Sequence, residues 1–306
     1  MKKNISYLFI AAGASLWGLI GIFVEALKNY GFSPIEIVAI RALTASGILI
    51  IYSLLKDKSL LRVKIADLRY FLATGILSIV FFNWCYFTAI QEVSLSVAVV
   101  LLYTAPAFVT ILSRFIFKER ITLDKIVALA ILFIGCSFVV GLLPALEIKI
   151  STFGLLVGLG SGIGYALYSI FGKMASEKYS SITITTYTFI FAGVALLPLS
   201  RLWEKYAVFN QGEVLIYSLG LGLVPTSLAY ILYTIGLTEV EAGRASIIAN
   251  IEPVVAMLIG VCFLGDVLTG GQVLGAVAVL TAAFLIQKSA TQNSEQAFEL
   301  KYDRKG

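Results

Sequence analysis

One carboxylate, Glu252, stands far inside an apolar run, in the segment Ala249-Asn250-Ile251-Glu252-Pro253. A charged acid in hydrocarbon costs at least a few kcal/mol on insertion scales. A chain that keeps one must hydrate it, pair it or let it take up a proton. Three uses fit: proton coupling, attraction of a cationic group on a small ligand, or a structural hydrogen bond to backbone freed by Pro253. Residue types that could complete a polar and aromatic site recur in other apolar runs: Trp17, Asn83, Trp84, Tyr86, Tyr103, Tyr165, Tyr168, Tyr230, Tyr233 and Asn250. Asn83 and Tyr86, Tyr165 and Tyr168, and Tyr230 and Tyr233 are each three apart, so each pair shares a helix face. Such groups hold an aromatic ligand, or a cation against π faces; packing against lipid is their plainer use. Arg244 precedes Glu252 by eight residues, about 12 Å along a helix. It reads either as a gating or substrate contact or as a side chain snorkelling to the headgroups. Arg41 reads as an interfacial or interhelical structural residue. Pro106, Pro225 and Pro253 would each free the carbonyl four residues back; those carbonyls serve a cavity or merely mark bends.

The rest of the composition excludes most other chemistry. There is no histidine, so no imidazole triad, ligand or proton relay exists. Cys85, Cys136 and Cys262 are scattered through apolar runs and suggest neither a zinc site nor a disulfide framework. No cofactor is expected. With 59% hydrophobic and 13% charged residues, the chain has too little polar surface for a soluble enzyme, a nucleic-acid-binding domain or a disordered chain. Continuous rather than alternating apolar runs exclude an outer-membrane barrel.

About 20 apolar residues cross the hydrocarbon as a helix. The runs place ten spans near 5–27, 34–55, 68–90, 94–116, 122–142, 152–173, 182–203, 213–235, 240–264 and 270–288, and a polar, disordered cytoplasmic tail over 289–306. With the N-terminus inside, seventeen Lys and Arg fall on the inner side and four on the outer. That bias predicts a cell (inner) membrane protein with both termini cytoplasmic. The basic charge is thus a topology signal, not a nucleic-acid surface.

A shift of 147 residues lays Gly13 on Gly160, Gly75 on Gly222, Tyr86 on Tyr233, Pro106 on Pro253, Glu119 on Asp266 and Thr122 on Thr269. It also lays Tyr103 on Asn250 and Ala105 on Glu252, so the acid breaks the symmetry. Two five-helix units follow, 1–145 and 148–288. Five is odd, so the units cross the membrane in opposite senses, an arrangement that in secondary transporters puts the substrate site near the midplane between them. The predicted fold is therefore an all-α integral membrane protein of ten transmembrane helices in two inverted repeats. Spans one to four of each unit should line a cavity, with the fifth and tenth packed outside.

The chain resembles the EamA-type members of the drug/metabolite transporter superfamily over residues 5–288. The likeness rests on Trp17-Gly18, Arg41, and the twin stretches from Pro106 to Arg120 and from Glu252 to Asp266. The resemblance implies alternating-access transport of small organic metabolites, often outward. The partners expected are a small-molecule substrate and the lipid bilayer, with protons as a candidate coupling ion and no nucleic acid; oligomeric state is left open. Amino acids and related amines are the favoured substrates; choline-like quaternary amines and nucleosides or drugs are the alternatives. Outside transport stand a channel, though no ring of like residues suggests a filter, and a lipid-acting enzyme, though paired intramembrane carboxylates are lacking.

Overall fold

The computed structural model describes residues 3–143 and 151–303. Among the described residues ten long helices build the bundle: α1 (Asn4–Asn29), α2 (Pro34–Lys56), α3 (Ile65–Glu92), α4 (Leu95–Ile116), α5 (Leu123–Val139), α6 (Thr152–Ser176), α7 (Ser181–Ser200), α8 (Gly212–Glu239), α9 (Ala242–Phe263) and α10 (Gly270–Asp303). Among the described residues nine of them are long and apolar enough to cross a membrane. The tenth, α5, has 17 residues, about 25 Å of helix at 1.5 Å per residue. The helix starts are written locally. Ser33 and Glu36 form a reciprocal capping box at α2, and Thr122, Ser151 and Ser180 cap α5, α6 and α7 through their side-chain oxygens.

One expectation is corrected. Instead of ending at 288 in a disordered tail, α10 stays helical to Asp303. No Pro or Gly interrupts 276–303, and Ala, Gln, Glu, Leu and Lys there are good helix formers. Polarity marks where the helix leaves the apolar layer, not where it ends.

The main helix pairings are preserved when the two units are exchanged. α1 packs on α8 as α6 packs on α3, and α4 on α6 as α9 on α1. α2–α7, α4–α9 and α5–α10 are each a helix against its own counterpart. The inverted repeat is therefore physical, and α5 and α10 lie together outside the inner helices. Close approach at matched positions depends on glycine: a Cβ on Gly75 would lie 2.6 Å from the Thr188 carbonyl, and one on Gly222 2.2 Å from the Thr44 hydroxyl. Only hydrogen fits at either crossing.

The irregularities repeat as well. α4 breaks at Tyr103 and Thr104 between Leu95–Leu102 and Ala105–Ile116, and α9 breaks at Asn250 and Ile251 between Ala242–Ala249 and Glu252–Ile259. In both, proline (Pro106 or Pro253) is the second residue of the new half, where no helical N–H is needed. α3 and α8 each carry a π-helical stretch, Ala73–Val80 and Leu223–Leu228. In α8 the Thr226 hydroxyl donates to the Leu221 carbonyl at 2.7 Å, filling the vacancy left by Pro225.

Candidate functional site

A cavity of about 560 Å³ runs into the molecule between α1, α2, α3 and α4 of the first unit and α8 and α9 of the second. It reaches the far face, opposite the start of α1, at Lys28, Pro34, Gln91 and Leu95, which are exposed. Trp17, Arg41, Tyr103 and Glu252 line it deeper in the bundle. Glu252 opens the second half of α9, so its carboxylate lies at the positive end of that half-helix. The Tyr165 hydroxyl donates to its Oε2 at 3.1 Å. Arg41 lies 5.6 Å from the centre of the Tyr230 ring and donates Nε to the Thr226 hydroxyl at 2.8 Å.

Of the residues singled out by sequence, Trp17, Asn83, Tyr86, Tyr103 and Glu252 line this cavity. Tyr165, Tyr168, Tyr230 and Tyr233 gather beside Trp17, with Tyr165, Tyr230 and Tyr233 at ring distances of 6.2, 5.0 and 5.1 Å from it. They enclose a void of only about 10 Å³. Their hydroxyls are engaged: Tyr168 with Thr234 at 2.8 Å and Tyr233 with Ser169 at 2.6 Å. This is a closed floor, not an open aromatic box. The Trp17 Nε1–H is buried without a partner among the described residues.

Four expected site residues lie elsewhere. Trp84 is 56% exposed on the bundle's outer surface, with Phe81 as its ring neighbour; it follows Asn83 by one position and so points about 100° away around the helix. Asn250 is buried at the break in α9, where its Nδ2 donates to the Ser246 carbonyl at 2.8 Å. Pro106 is buried at the matching break in α4, while Pro253 borders a different cavity, beside Asp266. Among the described residues no group of three or more His, Cys, Asp or Glu is placed to hold a metal ion.

Arg244 does not snorkel. It is 5% exposed, donating Nε to Glu241 at 2.8 Å and Nη1 to the Ile286 carbonyl of α10 at 2.8 Å. It belongs to a buried lattice that closes the face bearing the start of α1. There Lys125 meets Glu119 at 3.4 Å and Glu241 at 3.0 Å. Lys173 lies 3.8 Å from Glu119 and donates to the Val240 carbonyl. Glu119 also accepts the Ala242 and Gly243 amides at 2.7 and 3.2 Å. Nearby, Lys178 donates to Asp67 at 2.7 Å, and this bond holds its ammonium above the usual lysine value. Sequence reasoning missed this lattice because its contacts between segments join residues 42 to 124 positions apart, and the local Glu119–Lys125 spacing alone looks like a solvated loop. It missed Arg41 as a cavity residue for the same reason: Thr226, its partner, is 185 residues away.

Comparison with known proteins agrees with this architecture. The EamA-like transporter family model matches residues 4–141 and 152–287. An uncharacterized transporter of Archaeoglobus fulgidus is 30% identical over 289 residues, covering 94% of this chain and 99% of the relative. The threonine/homoserine exporter RhtA of Salmonella typhimurium is 29% identical over 202 residues, 66% of this chain; the match spans 65% of that exporter's length. A solved crystal structure superposes with a TM-score of 0.76 at 17% identity, over 94% of this chain and 98% of the other, which shows the fold alone.

Proposed function

The chain belongs to the EamA-like transporter family, and from that premise we propose that it is a secondary carrier exporting small zwitterionic amino acids. The observation that carries this reading is that Glu252 and Arg41 line one cavity while their polar contacts go to separate partners. Glu252 would take the substrate ammonium, a charge-assisted contact strengthened by depth. Arg41, steadied by Thr226 and Tyr230, would present its terminal nitrogens as a fork to the carboxylate. After the substrate leaves, Glu252 would take a proton in place of the ammonium, so that proton entry drives export. The activity named for the relative RhtA, threonine and homoserine export, supports both the substrate class and the direction. The closed ring cluster argues against quaternary amines, which need an open aromatic box.

The basic-residue bias supports placing the face that bears the start of α1 in the cytoplasm, so the cavity described above would open outward. A reporter enzyme fused behind Ser289 should then be active only in a cytoplasmic form; activity solely of an externally folding reporter would reverse the assignment.

A thermal-shift panel on detergent-purified protein tests the substrate class: threonine, homoserine, choline, betaine, spermidine and adenosine. A ligand at about 100 times its Kd adds about 2.7 kcal/mol of stability. Threonine and homoserine should raise the midpoint. Stabilisation by choline or adenosine alone would sink the amino-acid reading.

A further inference from the structure

Two loops at opposite faces are copies of one another. At the closed face Lys118 has φ +58°, the Glu119 amide donates to the Ser113 carbonyl at 3.2 Å, and Thr122 accepts from the Lys125 amide at 3.4 Å. Shifted by 147 residues, at the open face, Gly265 has φ +79°, the Asp266 amide donates to the Gly260 carbonyl at 3.1 Å, and Thr269 accepts from the Gln272 amide at 3.3 Å. The loops match bond for bond, yet their carboxylates differ in what they meet. Glu119 is 8% exposed and holds the Ala242 and Gly243 amides at the start of α9. The same shift makes Leu95 and Ser96, at the start of α4, the amides that correspond. Asp266 is exposed, and a cavity of about 630 Å³ bordered by Leu95, Ser96, Asp266 and Gln272 lies between the two elements.

We infer that Asp266 is the carboxylate of the second gate: as the open face closes it moves onto the Leu95 and Ser96 amides, while Glu119 releases those of Ala242 and Gly243. The contact needs no new chemistry, since its counterpart is already formed in the other half of the molecule. An inverted repeat must visit the mirror arrangement to give access from the other side. The two gates are unequal. Lys125 and Lys173 stand beside Glu119, whereas the matching positions hold the uncharged Gln272 and Ala26. The carboxylate at the open face would therefore be held by amides without cations, and the empty carrier rests with that face open. The inference rests on the carrier fold and not on the choice of substrate, so its test uses no substrate.

The test is the labelling rate of Ser96→Cys by a water-soluble maleimide, in purified protein in nanodiscs, in a Cys262→Ser background because Cys262 is exposed while Cys85 and Cys136 are buried. Glu119→Gln weakens the closed gate and should lower the open-to-closed ratio about tenfold, the size of losing one charge-assisted hydrogen bond, so that labelling slows in step with the fall in the open fraction. Adding Asp266→Asn should restore the rate. Labelling unchanged by Glu119→Gln, or slowed but not restored by Asp266→Asn, overturns the inference. If Glu119→Gln yields no folded protein, the exposed position decides alone. Asp266→Glu, reaching further toward the amides, should be labelled several-fold more slowly than Asp266→Asn; equal rates overturn the inference.

Discussion

Glu252→Gln is expected to reduce substrate counterflow in proteoliposomes by about 100-fold, or ~3 kcal/mol, while the protein stays folded. The magnitude is that of removing one partner from a desolvated charge pair. Glutamine keeps the shape and still accepts from the Tyr165 hydroxyl, which reaches the wild-type carboxylate at 3.1 Å. What it loses is the charge for the ammonium and the site for the returning proton. Wild-type exchange should therefore vary with pH and the residual exchange of the variant should not. Arg41, Tyr86, Tyr103, Cys136, Tyr165 and Tyr230 are the charged or titratable groups coupled to Glu252. The carboxylic acid is the only one of these side-chain types whose ordinary range lies below neutrality, so a pH response lost in Glu252→Gln would report the acid. Undiminished counterflow in Glu252→Gln would make Glu252 a structural residue of the break in α9.

The largest effect on stability is expected from Lys125→Met. Lys125 is 1% exposed and joins Glu119 to Glu241. Breaking a buried pair by deleting one partner costs about 3–5 kcal/mol, because the other charge is stranded. The loss here should be near 3 kcal/mol, since Glu119 keeps two amide donors and the Glu241 side chain is 43% exposed. The thermal midpoint of the detergent-purified protein should fall, and the added change Glu119→Gln should recover much of the loss by removing the stranded acid. A Lys125→Met protein as stable as wild type would show that the lattice contributes no net stability.

The repeat was the part most open to reading from sequence, because identity at a fixed offset does not depend on knowing any contact. It located the matched prolines, the twin loops at Glu119 and Asp266, and the asymmetric acid at Glu252. Facing was harder. In a span apolar all round, lipid and protein reward the same side chains, so Trp84 and Asn83 looked equivalent although only Asn83 reaches the cavity. The tyrosines were recognised as a group, yet whether four rings form an open box or a packed floor depends on separations of 5–6 Å that no spacing encodes. Charges inside spans were the least legible. Arg41 and Arg244 look alike in sequence; one borders the cavity and the other is locked to Glu241 and α10 because their partners come from distant segments.

The central claim is that one cavity grips both ends of a zwitterion, the ammonium at Glu252 and the carboxylate at Arg41. Competition against labelled threonine by threonine methyl ester and by N-acetylthreonine tests it most directly, since each keeps only one charge. Both should compete at least about tenfold more weakly than threonine, with Arg41→Lys weakening threonine itself but hardly changing the ester. A methyl ester that competes as well as threonine would contradict the account, leaving a cation site at Glu252 and no carboxylate partner at Arg41.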